Sequence, residues 1–151
     1  MKDASTALRI SYYNKLKGLV VNEKEIPVYA NEVNDTYEPT YTRLSPPPFY
    51  IVISNQTLTP DWLRQKWRNR YSIQVDVYTV YPVSEGSFLF TEEIANAVYE
   101  RILPSLNYDI DVPGFKCISS DIDLSRNQVE SVKDKNIFRK ITIFTHHIEQ
   151  I

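Results

Sequence analysis

Glycine is scarce in this chain, with only Gly18, Gly86 and Gly114 among 151 residues. Phosphate-cradling loops and nucleophile elbows spend several glycines within a few positions, because the backbone there must turn sharply or approach a ligand closely. Three glycines this far apart exclude P-loop, Rossmann and serine-hydrolase chemistry. Cysteine is nearly absent as well. Cys117 stands alone, so no internal disulfide is possible, and without a nearby Cys it reads as a small core residue rather than a nucleophile. No run of about 18 apolar residues is present to span a bilayer, and Met1-Lys2-Asp3-Ala4-Ser5 lacks the apolar centre of a signal peptide. The expectation is a protein made and kept in a reducing cytosol, without a membrane partner. Neither sign of charge dominates: 17 Lys and Arg face 19 Asp and Glu, a net charge of −2. No global field draws the chain to nucleic acid or to an anionic surface.

Catalytic constellations are equally thin. The two histidines, His146 and His147, are adjacent, and on a strand adjacent side chains point to opposite faces, so they cannot share one metal. A restriction-type nuclease site needs an acidic residue followed two positions later by Lys on a central strand, and none of the 19 acidic residues is so followed. Where the pair belongs, the sequence reads Asp76-Val77-Tyr78. Asp121 with Asp123, and Asp109 with Asp111, are spaced to place two carboxylates on one side for Mg²⁺ or Ca²⁺. Without a third oxygen-rich group they read as a solvated strand face and a polar turn. No catalytic residue, cofactor or metal site is expected.

What the chain does have is apolar and aromatic content, 42% and 13%, with eleven tyrosines, enough for one core in one domain over residues 1–151. Leu8, Tyr12 and Leu16 repeat every four residues beside Ala4 and Ala7, which predicts a helix over Ser5–Leu16, with Asp3 or Ser5 as cap and Gly18 at its exit. Glu25–Ala30 predicts a short edge strand because of Pro27. The polar stretch 31–48, ending in Pro46-Pro47-Pro48, reads as an exposed loop. Phe49–Ser54 is apolar on both faces, as a central strand is. The cleanest alternation runs over Arg70–Tyr81, with Tyr71, Ile73, Val75, Val77 and Tyr81 on one face. Thr91, as cap, then opens a helix to Leu103, with Glu92 and Glu93 in its first turn and Ile94, Val98 and Ile102 as its stripe. Strands over 115–124 and 137–148 close the chain, joined by an exposed polar tip over 125–136. The predicted fold is α+β in the order αβββαββ: a single, largely antiparallel sheet with two helices packed on it.

Between two strands lies Trp62-Leu63-Arg64-Gln65-Lys66-Trp67-Arg68-Asn69-Arg70, with four cations and two tryptophans. That composition suits a protein interface, where Trp and Arg are favoured anchors. It also suits an ordinary hairpin turn or, less well, phosphate contacts with base stacking. The candidate contact residues are Trp62, Arg64, Lys66, Trp67, Arg68 and Arg70.

Taken together, the N-terminal helix with Ala7-Leu8, the Ile26-Pro27-Val28-Tyr29 segment, the Pro-rich entry to Phe49-Tyr50-Ile51-Val52-Ile53, the Tyr71–Tyr81 strand, the helix from Glu93-Ile94-Ala95 to Ile102-Leu103 and the closing strand pair follow an order that resembles the tail-completion or tail-terminator proteins of tailed phages. The resemblance covers nearly the whole chain. It departs from the common pattern in a longer Tyr-rich loop over Asp35–Ser45 and in the Trp62–Arg70 segment. The resemblance implies a non-enzymatic virion protein, assembled in the host cytoplasm. It implies a homo-oligomeric ring, hexameric or dodecameric, that joins portal or connector to tail proteins, with genomic DNA passing through the lumen without specific binding. The alternative function is a nucleic-acid-binding module built on residues 62–70.

Overall fold

The computed structural model describes residues 1–30, 48–62, 66–106 and 110–151. Helix α1 spans Ser5–Leu16, and its four-residue stripe Leu8, Tyr12 and Leu16 is fully buried. Asp3 Oδ1 accepts the Ser5 N–H at 2.8 Å one position ahead of the N-cap residue Ala4. Gly18, at φ 73, releases the chain after the C-cap residue Lys17, the left-handed exit that glycine adopts without a Cβ penalty. Strands follow at Val20–Val21 (β1), Lys24–Glu25 (β2), Val28–Ala30 (β3), Phe49–Pro60 (β4) and Arg68–Pro82 (β5), then helix α2 at Leu89–Ile102, and strands β6 at Phe115–Val132 and β7 at Lys135–Gln150.

Five strands form one sheet in the order β3-β4-β5-β7-β6. Both helices lie on one face, where Ile51 and Ile53 of β4, Ile73, Val75 and Val77 of β5, and Phe144 and Ile148 of β7 meet the stripes of α1 and α2. The α+β class is as predicted, but the sheet is not purely antiparallel. β3 pairs with β4 in parallel, Tyr29 opposite Val52, and the other three pairings are antiparallel. Nor is it the only sheet. β1 and β2 form a separate two-stranded ribbon around Asn22 and Glu23, both at positive φ, 51 and 65. Two successive positive φ values make a tight hairpin turn whose twist suits the strands it joins. Asn-Glu lacks the glycine that normally announces such a turn, which is why the sequence conceals it.

Other differences lie in β6 and α2. Residues 125–136 form no loop: β6 continues to Val132, a two-residue turn at Lys133 and Asp134 follows, and β7 starts at Lys135. The segment is exposed because β6 is an edge strand, and exposure on most of its length gives it the polar composition of a loop. Thr91 is not a cap either. It lies inside α2, buried, with its hydroxyl 2.6 Å from that of Thr79 on β5, and the N-cap residue is Phe88. The expected loop over 31–48 falls, except for Pro48, outside the described residues.

The turn from β5 into α2 rests on the β6–β7 turn through the Val83 N–H, which donates to Asp134 O at 3.1 Å. Gly86 sits here at φ 106, and a Cβ at this position would meet the Tyr81 ring and Phe138 Cε2, the latter at 2.6 Å. Gly86→Ala is expected to cost about 2 kcal/mol in urea unfolding, combining left-handed strain with overpacking. Gly114, at φ 85 with nothing near its missing Cβ, provides the control. An equal loss for Gly114→Ala would remove the steric part of this account.

Candidate subunit interface

The β4–β5 connection turns at one end of the sheet, and its two ends are tied together by the Asp61 N–H, which donates to Arg68 O at 3.0 Å. Trp67 O accepts the Gln150 N–H at 2.9 Å, which fixes this corner to the end of β7. Trp62 and Trp67 pack edge to face with centroids 5.1 Å apart, and both remain exposed, 55% and 44%. The Trp62 indole N–H donates to Asn69 Oδ1 at 3.0 Å, and Asn69 is itself buried on β5. The pair is thus an exposed apolar corner held in place by its own contacts.

The cations beside it are less free than the sequence suggests. Arg68 places Nη2 and Nε at 2.9 and 3.1 Å from Asp61 Oδ2, and His147 Nδ1 lies 3.6 Å from the same oxygen. Lys66 Nζ lies 3.6 Å from Glu149 Oε2. Arg70 is exposed on β5, opposite Thr59 and His147, with no ion pair among the described residues. Arg64 lies outside the described residues. Of the six candidate positions, five are therefore gathered at one corner, but two of the three cations there are already matched by carboxylates. A phosphate backbone would compete with those carboxylates, whereas a protein partner could use the tryptophans directly.

Other candidates from the sequence separate in space. His146 faces the helices, hydrogen-bonded through Nε2 to the Tyr12 hydroxyl and through Nδ1 to Ser120 Oγ at 2.7 Å, while His147 faces the other way toward Asp61. Burial, followed by the neighbouring His147 charge, lowers the His146 pKa to about 4. Cys117 is buried beside it, with Sγ 3.9 Å from Nδ1. Asp121 pairs with Thr145, but the register shifts between Ile122 and Leu124, so Asp123 is the extra residue of a bulge. The two-residue alternation that would align these carboxylates is broken there. Asp109 lies outside the described residues, and among the described residues no three His, Cys, Asp or Glu converge for a metal. Among the same residues, no helix is long and apolar enough to cross a membrane.

One cluster escapes sequence reading. On the sheet face away from the helices, Asp76 is 1% exposed and accepts from Arg139 Nη2 at 2.8 Å and from Gln74 Nε2 at 3.0 Å. Arg139 lies 5.2 Å from the Tyr78 ring, which stacks on Tyr50 at 4.8 Å. Burial, then the Asp76 charge, pushes the Tyr78 hydroxyl up to about 12. The alternation of Ser72, Gln74, Asp76 and Tyr78 marks the polar face of β5, but only the register with β7 brings Arg139 to it. Both carboxylate oxygens of Asp76 accept from these neighbours, so the cluster ties β5 to β7 rather than offering a free acid or base.

No protein-family model and no curated protein matches this chain. Among solved structures, it is similar to a chain from a structure described as the virion of a native gene transfer agent particle, with a TM-score of 0.72 and 14% sequence identity. The match covers 99% of this chain and 99% of that one. At this identity the likeness is one of fold, and it extends from end to end: the α+β architecture described above is also that of a virion component.

Proposed function

We propose that the chain is a structural virion protein of a phage-like particle, forming a homo-oligomeric ring at the head-to-tail or tail-terminator junction between portal or connector and tail. The observation that carries this is the match in fold to a chain from a gene transfer agent virion, which covers 99% of each of the two chains. Function on this reading is geometric. The subunit presents surfaces and turns over no substrate, and genomic DNA passes the ring without specific contacts. The corner at Trp62 and Trp67 supplies an apolar anchor of the kind that dominates interface energy.

Mass spectrometry of purified particles is expected to find the chain in a small fixed copy number, and imaging is expected to place it at the tail junction as a closed ring. A particle that lacks the chain, or that carries it dispersed over the capsid, would overturn the ring at the junction. The nucleic-acid reading is disfavoured by the carboxylates on Arg68 and Lys66.

A further inference from the structure

At the opposite end of the sheet from the tryptophans lies an open groove of about 500 Å³, bordered by the β1–β2 ribbon, the start of β4, the end of β5 and the first turn of α2. Phe49, Phe90 and Leu89 line it, with Lys24 and Glu93 among its polar residues. Phe49 and Phe90 meet edge to face at 5.5 Å, and Lys24 Nζ stands 5.7 and 5.3 Å from their centroids. Leu89 is 73% exposed at the rim. We propose that the Trp62–Trp67 corner of one copy seats in this groove of a second copy, and that this contact, repeated head to tail, closes the ring. The inference deepens the ring reading above and rests on it.

Three observations select a second copy as the occupant. The first is placement. Phe49 pairs with Thr79 and Pro60 with Asn69, so groove and corner sit at opposite ends of β4 and β5, roughly 35 Å apart at the usual rise of a strand. A corner that fits a groove on the far end of the same molecule makes a heterologous contact, which closes into a ring when the rotation allows. The second is charge. On the elements that border the groove, the exposed acids Glu23, Glu25, Glu85 and Glu93 outnumber Lys24. The tryptophan corner carries Lys66, Arg68, Arg70 and Lys116 against Asp61 and Glu149. The two ends are therefore complementary, which steers encounter and fixes orientation. The third is chemistry. A volume of this size accepts a bulky aromatic group, since it lies within the roughly 300–1,000 Å³ of pockets that take whole small-molecule ligands. An indole entering beside Phe49 and Phe90 would give the Lys24 ammonium a third ring face.

The test uses the full chain and two variants at exposed positions. One is the double variant Trp62→Ala/Trp67→Ala, which loses the corner and keeps the groove. The other is Leu89→Lys, which blocks the groove with a cation and keeps the corner. Sedimentation velocity is expected to show wild-type oligomers and, for each variant alone, self-association weakened at least roughly thirty-fold, as for loss of a hot spot. Mixing the two variants is expected to restore one intact contact and give a one-to-one pair that grows no further. Circular dichroism and thermal melting of each variant separate loss of contact from loss of fold. If either folded variant still forms wild-type oligomers, or if the mixture yields no pair, the contact is wrong while a ring held by other surfaces stands. A wild-type chain that stays monomeric up to roughly 1 mM, the weak end of measurable association, also overturns the contact. The virion reading then stands or falls on whether purified particles contain the chain.

Discussion

Phe144→Ala is expected to cost about 4 kcal/mol, because a fully buried phenylalanine loses both its transfer energy and its packing. Phe144 is 0% exposed on β7 and lies opposite Ile73 on one side and Ile122 on the other. Its ring meets Tyr12 of α1 edge to face at 5.7 Å and Tyr99 of α2 at 6.0 Å. One side chain thus joins three strands to both helices. The vacated space cannot be refilled by strand movement, since β7 is hydrogen-bonded on both edges. Urea denaturation should show a lower midpoint with an unchanged slope, the signature of lost stability without a change in surface exposed. Ile122→Ala, at a position 42% exposed on the edge strand, should cost under about 1 kcal/mol. A loss for Phe144→Ala as small as that of Ile122→Ala would mean that the helices do not rest on β7 as described.

The sequence does not single out Phe144, and the cause lies in where β7 sits. Periodicity is legible where an element is buried on one side and solvated on the other, as in α1, where Leu8, Tyr12 and Leu16 declare the inner face. It is legible in β5, from Tyr71 to Val77, because the residues of its other face, Ser72, Gln74 and Asp76, are polar. β7 is sandwiched between two strands and has apolar or aromatic residues on both faces, Ile141 and Ile143 against Phe138 and Phe144, so alternation does not say which face meets the helices. β6 is read only in part, over 115–124, even though both of its bulges, at Ile118 and Asp123, fall there. Its continuation to Val132 is missed because that length of the edge strand is polar and exposed on both faces, and charges on an edge are a usual means of keeping it from pairing with other chains.

The site was legible in composition and not in pairing. Two tryptophans close to basic residues mark the corner at once. That Asp61 takes Arg68, and Glu149 takes Lys66, depends on the hairpin closing and on β7 ending beside it. The groove is less visible still, because Phe49, Leu89 and Phe90 come from elements forty residues apart and each reads locally as ordinary core. What disfavours the nucleic-acid reading is therefore tertiary: the carboxylates beside Arg68 and Lys66.

Acidification from pH 6.5 to pH 4 is expected to remove about 3 kcal/mol of stability through His146 alone. The side chain is 0% exposed between α1 and β6, and its pKa is lowered to about 4 from 6.5, first by burial and then by the charge of His147. In the unfolded chain the imidazole takes a proton near 6.5, whereas in the native chain it resists until about 4. Between these values the unfolded state holds more protons, so stability falls as pH falls. Above 6.5 the contribution is fully present, and below 4 this residue causes no further loss. The neutral ring is also what the geometry requires, since Tyr12 on Nε2 and Ser120 on Nδ1 satisfy one donor and one acceptor. A proton on both nitrogens would force both hydroxyls to accept, and neither contact is made by a carboxylate. Acid acts on more of the chain than His146, so the comparison must be with His146→Gln, whose amide stays neutral across this window. The variant should be less stable at pH 7 and should close most of that gap by pH 4. Parallel stability curves for the two chains across this window would mean that His146 takes its proton at the same pH folded and unfolded, contrary to its burial.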